Sequence, residues 1–508
     1  MPRISALLSL LLAGLLSSPA WCKTSDHAAD TVFYNGSIYS LDEHSSNFQA
    51  MAIKDGRITY LGNDKCVKRF TGPDTALFDL EGRMVMPGLV DAHMHLLTGG
   101  AGLLKCNLNY QPLDLDEVLD HIQQCLDSDE GKGDNDWLEV IYLDIYHLSD
   151  VTGGVTKKDL DTLNTNRPVV VRSADRHTSW VNTAALEASD ITASTPSPPG
   201  GIVERLPGSQ EPSGLLQDNA GGLLSGPAPP TAEDDIQSAK AALKLLREQG
   251  LTGFQDASSN IATAKAFEAI KKEGALSARG FFDYRIDAPN STAQIAPLVQ
   301  QVVNVTSTYN DPTELEAEPS LKWHAVKLYV DGVILYPANT GVLLEPYYSP
   351  VDNTSSAPWE PNPKIHPEPY WSTELLSATL EQLFMKNIDA QIHVDGDGAV
   401  RVALDAVEGF RERNPGYEDY KVGLAHNEVT NPSDWPRYAE LKADPIMSFQ
   451  WAQASSVWIP NTLKSMGPVR SQHLQAWGDI ARFGTRVVYG SDWPVSSSCH
   501  DEVSKQSW

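Results

Sequence analysis

Residues 85–95 read VMPGLVDAHMH, an apolar run that ends in two histidines separated by one residue. On a β-strand, residues two apart point to the same side of the sheet, so His93 and His95 would face one point, with Asp91 beside them. Two neutral imidazoles aimed at one point make a chelating pair for a divalent metal such as zinc, whereas two charged imidazoles repel each other. The motif therefore predicts a metal-binding pair whose partners lie elsewhere in the chain.

Four further ionisable residues stand at or near the ends of later apolar segments: Lys327, His393, His426 and Asp492. Neutral imidazole and carboxylate suit zinc and similar divalent metals. A lysine fits this set once burial lowers the pKa of its amine, because the neutral amine can add carbon dioxide and form a carbamate that bridges two metals. The alternative for Lys327 is a charged side chain that positions the substrate.

The elements that must position these residues are short apolar strands separated by helical stretches such as 232–249, 372–387 and 398–412. Eight strand–helix units predict an α/β chain with a (β/α)8 TIM-like barrel, in which the carboxyl ends of the strands surround one cavity. The predicted strands are 85–93, 251–256, 279–285, 322–330, 390–394, 421–426, 446–450 and 486–492.

Two regions lie outside this alternation. Residues 100–230 are too long for a simple crossover and are predicted to form an insertion or lid subdomain over the mouth of the barrel. Residues 28–84 are predicted to form a small antiparallel β module without a helix. Asn35-Gly36 and Asp55-Gly56 each mark a hairpin turn within that module.

The N-terminus is typical of a secretory signal peptide, because Arg3 precedes an apolar run at residues 4–16 and the small residues that follow allow cleavage after Ala20 or Cys22. No later stretch is long and apolar enough to span a membrane. The formal net charge of −27 argues against nucleic acid or an anionic membrane as a partner. We therefore expect a secreted protein that has no membrane association once the signal is cleaved.

Cysteines and glycosylation sequons agree with secretion. Removal of Cys22 leaves an even number, for which several pairings exist, and Cys106 with Cys125 is favoured because it needs only local folding. Sequons occur at Asn35, Asn290, Asn304 and Asn353, so we expect a glycoprotein.

Several motifs together resemble the amidohydrolase superfamily. They are GLVDAHMH, the lysine of VKLYVDG, the histidines of QIHVDGD and GLAHNE, and the aspartate of YGSDWPV. The stretches NGSIYSLD, RHTSWVNTAAL and MSFQ narrow the resemblance to the YtcJ-like branch, also called amidohydrolase-3, which includes N-substituted formamide deformylases. The resemblance runs from about residue 30 to residue 495.

This resemblance implies a metal-dependent hydrolase of non-peptide carbon–nitrogen bonds, of the amide or formamide type, acting on a small molecule through metal-bound hydroxide. After the signal peptide at 1–22, it implies the N-terminal part of a β-sandwich at 23–84 and the barrel at 85–508. One or two divalent metals, zinc by expectation, would be held by His93, His95 and Asp492 and by His393 and His426, with N6-carboxylated Lys327 bridging. Asp492 would also act as general base and then acid, or as a ligand only.

The resemblance further suggests His177 and Gln450 as substrate-binding residues, with a structural role as the alternative for His177. Asp331 and Asp397 follow the lysine and histidine motifs and are either orienting residues or turn residues, the latter being preferred for Asp331.

The chain ends at Trp508, so the returning strands of the sandwich are expected to be missing. This leaves open a catalytically inactive paralogue that acts as a binding or accessory protein. Ester or lactone hydrolysis and deamination remain alternative reactions, and the sequence does not separate a monomer from a homo-oligomer.

Overall fold

The computed structural model describes residues 28–495 except for 130–131, 146, 151–153, 175–177, 199–200, 312–317, 337, 353–356, 416–419 and 453–458. The chain divides into two compact units, Met1–Pro87 and Gly88–Trp508. None of the helices in the described part has the length and apolar content needed to cross a membrane.

The first unit contains two small sheets. The four-stranded sheet has the order Arg57–Gly62, Ala50–Lys54, Thr31–Tyr34, Ala76–Asp79, and the three-stranded sheet has the order Asn47–Phe48, Ser37–Tyr39, Met84–Val85. A short helix, Asp64–Val67, and a 3-10 turn, Lys68–Phe70, pack Val67 and Phe70 against Val32 and Ala52 of the first sheet.

Three expectations for this unit are wrong. The unit contains a helix, which begins after Asn63, whose side chain caps the Cys66 N–H. Its sheets are mixed, because Thr31–Tyr34 runs parallel to Ala76–Asp79 and Ser37–Tyr39 runs parallel to Met84–Val85. The turn at Asn35-Gly36 does not close a hairpin, since its flanking strands belong to different sheets. The hairpin at Asp55-Gly56 is confirmed by the pairing of Lys54 with Arg57.

The second unit is built around an eight-stranded parallel sheet, and all eight predicted strands are confirmed. In chain order they are Leu89–Met94, Leu251–Ser259, Arg279–Arg285, Leu321–Tyr329, Asp389–Val394, Val422–His426, Ala443–Met447 and Val488–Tyr489. We number them barrel strands one to eight. The first begins at Leu89 rather than at residue 85, because Met84–Val85 pairs within the first unit.

Barrel strands eight and one approach each other and nearly close the sheet. A parallel bridge joins Met94 to Trp493, and the His95 N–H donates to the Trp493 carbonyl at 2.7 Å. The Asp492 N–H donates to the His93 carbonyl, also at 2.7 Å. The backbone hydrogen bonds that join the two strands therefore involve three of the predicted metal ligands, His93, His95 and Asp492.

Helices cover the outside of the barrel. One of the long helices, Ala232–Glu248, begins with a capping box in which Thr231 and Asp234 satisfy each other's backbone N–H groups. It buries Ala239, Leu243 and Leu246 in the barrel core. The other α-helices of this unit are Leu96–Leu103, Leu115–Ser128, Lys157–Leu160, Thr183–Ala188, Ile261–Lys272, Ile295–Tyr309, Thr373–Phe384, Asp397–Arg413, Trp435–Glu440, Ile459–Arg470 and Trp477–Ala481.

The insertion between barrel strands one and two has a sheet of its own. Its six strands have the order Gly201–Arg205, Pro212–Asp218, Thr178–Val181, Val169–Ser173, Leu138–Leu143, Cys106–Asn107. Cys106 forms a disulfide with Cys125, as expected. The Tyr110 hydroxyl donates to the Pro494 carbonyl, so the insertion contacts the chain just beyond Asp492. A two-stranded ribbon, Tyr348–Pro350 with Trp359–Pro361, follows barrel strand four.

Candidate metal centre

His93, His95 and Asp492 come together where barrel strands one and eight end. Asp492 Oδ1 lies 3.3 Å from His93 Nε2 and 3.0 Å from His95 Nε2. One donor atom from each of the three residues lies within 4.8 Å of the other two. His93 and Asp492 are buried, and the His95 side chain is 20% exposed, so the cluster has one side open to solvent.

The side chain of Lys327, on barrel strand four, reaches the same cluster. Its Nζ lies 3.3 Å from His93 Nε2 and the residue is fully buried. Burial lowers the pKa of this amine to about 8, although Asp492, Asp283 and Asp395 oppose the change. A substantial fraction of the lysine is therefore neutral at mildly alkaline pH, which the addition of carbon dioxide requires.

His393 and His426 complete the group from barrel strands five and six. Their ring centroids lie 4.4 Å apart, and the His426 ring lies 4.7 Å from that of His93. The distance from His426 Nδ1 to Asp492 Oδ2 is 4.0 Å. The structure thus brings all six predicted ligands together.

The protonation states of these residues suit a cation. Burial, reinforced by Lys327, lowers the pKa of His93 to about 3, and burial and His393 hold the pKa of His426 well below its ordinary value. Burial works to raise the pKa of Asp492, but His93 and His95 outweigh it and keep that pKa low. The site therefore offers neutral imidazoles at His93 and His426 and an ionised carboxylate at Asp492, the donor forms that a divalent metal binds.

An unsatisfied acceptor also fits a metal. Asp492 Oδ1 is buried and, within the described residues, has no aligned hydrogen bond despite its two close imidazole nitrogens. A buried carboxylate oxygen without a partner is costly, and a cation shared by these donors would remove that cost.

Asp331 orients one of the histidines from behind. Its Oδ1 lies 3.1 Å from His393 Nδ1, and its carboxylate accepts the N–H groups of Asp395 at 3.0 Å, Gly396 at 2.9 Å and Val342 at 2.9 Å. The preference for a turn role at Asp331 is therefore wrong. The reason is that the loop after barrel strand four folds back onto the end of strand five, which spacing alone does not reveal.

Asp397 does not contact a ligand histidine. Its Oδ1 accepts the Leu344 N–H at 2.9 Å, and the residue begins the helix Asp397–Arg413. It anchors the loop between barrel strands four and five.

Of the two predicted substrate-binding residues, Gln450 lies within the described part of the chain and His177 does not. Gln450 lies next to Asp492, where its Nε2 donates to the Ser491 carbonyl and its Oε1 lies 3.4 Å from the Tyr489 hydroxyl. Its amide is thus engaged within the protein. His177 lies outside the described residues, and its role stays a prediction.

Sequence reasoning assigned no role to three carboxylates around the centre. Asp91 accepts the backbone N–H groups of His93 and Ser491, both at 3.0 Å, and thereby ties barrel strand one to strand eight. Asp395 and Glu428 are buried beside the centre. The signal was available: Asp91 precedes His93 by two residues, and Asp395 and Glu428 each follow a ligand histidine by two.

A model described as the amidohydrolase family matches residues 76–501, so the chain belongs to the amidohydrolase family. It is accordingly a hydrolase of carbon–nitrogen bonds other than peptide bonds, and an inactive accessory protein is not favoured.

Several curated relatives cover most of the chain. It is 25% identical over 476 residues to the putative amidohydrolase YtcJ of Bacillus subtilis, an alignment that covers 91% of this chain and 80% of that protein. It is 26% identical over 494 residues to the N-substituted formamide deformylase of Arthrobacter pascens, covering 93% and 82%.

Among solved structures, the fold is similar to that of an uncharacterized metal-dependent hydrolase from Pyrococcus horikoshii. The TM-score is 0.66 at 21% identity, with 92% of this chain and 83% of that chain covered. A second such hydrolase, from Pyrococcus furiosus, has a TM-score of 0.64 at 20% identity and covers 92% and 86%.

Proposed function

We propose that this chain is a metal-dependent hydrolase of amide or formamide bonds in small molecules. The observation that carries the proposal is the convergence of four histidines, a buried lysine of lowered pKa and an ionised aspartate at the ends of barrel strands. The deformylase named among the relatives acts on N-substituted formamides, and we propose the same substrate class here.

The residues divide into two ligand groups. His93, His95 and Asp492 would hold one divalent metal, zinc by preference, and His393 and His426 would hold a second. Lys327, once carboxylated, would supply oxygen ligands to both metals. For the carboxylation, its amine adds carbon dioxide, so that a nitrogen–carbon bond forms and one proton leaves to solvent. A bound divalent metal lowers the pKa of a water molecule and polarises the scissile carbonyl.

The chain's own groups then manage protons and orientation. Asp492 is ionised and buried, so it can accept the proton released by the attacking water and return it to the departing nitrogen. Asp331 fixes the His393 ring, and Asp91 holds strands one and eight in register. His177 and Gln450 are proposed to contact the substrate.

Two substitutions test the proposal. Lys327→Ala should lose metal and activity together, because the ligand set loses its shared member. Asp492→Asn should keep more of the metal but lose turnover by about 10²–10⁴-fold, the typical contribution of a positioned acid–base group. Lys322→Ala serves as the matched control, since Lys322 lies on the same strand and its Nζ donates to the Asp311 carbonyl at 3.1 Å. Metal content and turnover of N-alkylformamides are the measurements.

Full metal and a near-normal rate in Lys327→Ala would reduce the site to a single metal held by histidines and Asp492. Turnover of esters, lactones or aminated rings in place of formamides would redirect the proposal to one of the other reactions. We also propose secretion with N-glycosylation, supported by the signal-like N-terminus and by the exposure of Asn35, Asn290 and Asn304.

A further inference from the structure

Arg285 and Tyr329 are the last residues of barrel strands three and four, and neither has a role in the proposed ligand set. Tyr329 follows Lys327 by two residues, so both side chains leave the sheet on the same side. Arg285 is the neighbour of Lys327 in the register of the parallel sheet, and Tyr329 is the neighbour of His393. Both residues are therefore directed toward the cavity that holds the candidate ligands.

The ring of Tyr329 connects the Arg285 guanidinium to the candidate metal centre. Its centroid lies 5.0 Å from Lys327 Nζ and 5.1 Å from the ring centroid of His393. The guanidinium carbon of Arg285 lies over the same ring, 5.1 Å from its centroid. One aromatic ring thus contacts two predicted ligands and the guanidinium, and a small molecule that reaches these ligands can reach the guanidinium as well.

The guanidinium is accessible and only weakly engaged by the protein. The Arg285 side chain is 53% exposed, and its Nε and Nη2 donate to Asp287 Oδ1 at 3.2 and 3.1 Å. The Asp287 side chain is itself 78% exposed, and ion pairs between exposed side chains contribute little to stability. The carboxylate of a bound substrate can therefore compete with Asp287 for this guanidinium.

The chemistry of the guanidinium favours a carboxylate as its partner. Arginine keeps its positive charge at every physiological pH, and its planar fork of N–H donors fits the two oxygens of a carboxylate. Stacking on an aromatic ring restricts the orientation of the fork, and Tyr329 provides that ring. The net charge of −27 repels anions from the molecule as a whole, so an anionic substrate needs a local cation of this kind.

We propose that Arg285, positioned by the ring of Tyr329, binds the carboxylate of an anionic substrate such as an N-formylated or N-acylated amino acid. The substrate carboxylate pairs with the guanidinium while the substrate amide lies over the metal ligands. The kinetic part of the test rests on the proposed amide hydrolysis, whereas the binding part does not.

Binding is measured by calorimetry on the metal-loaded protein at pH 7 with glutarate and with pentanoate, which have the same carbon chain. Each offers one carboxylate that a metal can take, and glutarate alone has a second one for Arg285. We expect glutarate to bind about tenfold more tightly or better, and Arg285→Gln to remove that preference. Arg486→Gln is the matched control, because it removes the same charge just before barrel strand eight, at the opposite end of the sheet, where Arg486 pairs with Asp444.

Conservative variants separate recognition from a structural role. Arg285→Lys keeps the charge but loses the planar fork, so it should retain only part of the preference for glutarate. Tyr329→Phe keeps the ring beside the guanidinium and should keep the preference, whereas Tyr329→Leu should reduce it. Equal preference in the two Tyr329 variants would overturn the positioning role of the ring.

Kinetics are compared for N-formyl-β-alanine and N-butylformamide, which are similar in length and differ in the carboxylate. The ratio of their kcat/KM values should favour the anionic compound in the wild type and fall by about 10–100-fold in Arg285→Gln. The Arg486→Gln control should keep the wild-type ratio.

Three results would overturn the carboxylate subsite: equal binding of glutarate and pentanoate by the wild type, an unchanged preference in Arg285→Gln, or an equal loss of preference in Arg486→Gln, which would reduce the effect to net charge. Failure to hydrolyse either formamide would count against the proposed function alone, because the binding measurements still decide the subsite.

Discussion

Asp331 is a buried carboxylate that orients the ring of His393, a candidate metal ligand, without being a candidate ligand itself. It receives His393 Nδ1 and three backbone N–H groups, so its negative charge fixes both the ring and the loop after barrel strand five. Groups behind a ligand histidine are known to tune metal affinity. By its contacts, the carboxylate at 331 therefore belongs to the candidate metal site.

Asp331→Asn should weaken metal binding by about 10–100-fold, because the amide offers one acceptor oxygen where the carboxylate offers two. Competition with a chelator of known affinity measures the change. Asp389→Asn is a suitable control, since Asp389 begins the same strand as His393 but its Oδ1 accepts the Lys421 N–H at 3.2 Å. Equal metal affinity in Asp331→Asn and the wild type would show that the contact is only structural.

At the scale of single residues, the convergence of the six candidate ligands could be predicted, because each stands at or near a strand end and strand ends converge in a barrel. The same reasoning could not tell which of the nearby acidic residues would contact a candidate ligand. Asp331 and Asp397 both follow a motif by four residues, yet only Asp331 reaches a histidine. The difference depends on how the long loop after barrel strand four folds, which no local pattern encodes.

Barrel strand eight is the shortest of the sheet and depends on close backbone approach to strand one. A Cβ at Gly490 would lie 2.4 Å from the Cβ of His93 and 2.9 Å from its backbone nitrogen. The Asp492 N–H bonds the His93 carbonyl two residues later. A side chain at 490 would therefore separate the two strands that carry His93, His95 and Asp492.

Gly490→Ala should lower the free energy of unfolding by about 1–3 kcal/mol through overpacking and should also reduce the bound metal. Gly478→Ala is the matched control, because a Cβ there meets nothing within 4 Å and Gly478 lies in the helix Trp477–Ala481. Thermal unfolding and metal content are compared for both variants. Normal metal content in Gly490→Ala would mean that the strands adjust without cost to the site.

The disulfide ties the edge strand of the insertion, Cys106–Asn107, to the helix Leu115–Ser128 across a sequence separation of 19. Closing a loop of this length stabilises the folded state by about 3 kcal/mol in the chain-entropy model. Replacing both Cys106 and Cys125 by serine should lower the free energy of unfolding of the insertion by about that amount. Denaturation in urea measures it.

Adding a reductant supplies the control for that measurement. It should destabilise the wild type at least as much as the double substitution does, because reduction also opens the disulfide of Cys66. A wild type that reductant does not destabilise would show that the Cys106–Cys125 disulfide adds no stability.

At the scale of elements, periodic apolar segments were enough to locate all eight barrel strands. The first unit was harder, because its strands are short and the chain crosses between two sheets at Asn35-Gly36. A local turn signal reports chain reversal or positive φ, and Asn35 does have a φ of 56°. It does not report which sheet the next strand joins.

The molecule as a whole combines a barrel with a metal-type centre and a strongly acidic composition, with a net charge of −27. The negative charge favours solubility and opposes binding to polyanions. It does not indicate the reaction, which depends on the cluster of ionisable residues at the ends of the barrel strands. A small-molecule substrate agrees with a centre that is buried except on the side of His95.

At the scale of the whole chain, the signal-like N-terminus and the exposed sequons predict entry into the secretory pathway. Asn290 and Asn304 lie in exposed positions of the second unit, and Asn35 is exposed in the first, so glycan transfer would meet no packing obstacle at these sequons. Expressed in a eukaryotic secretory host, the protein should begin at Trp21 or Lys23 and should gain electrophoretic mobility after enzymatic removal of N-glycans. Asn304→Gln should remove one glycan, whereas Asn310→Gln, which alters no sequon, should remove none. A soluble product that retains Met1 and carries no glycan would place the chain outside the secretory pathway.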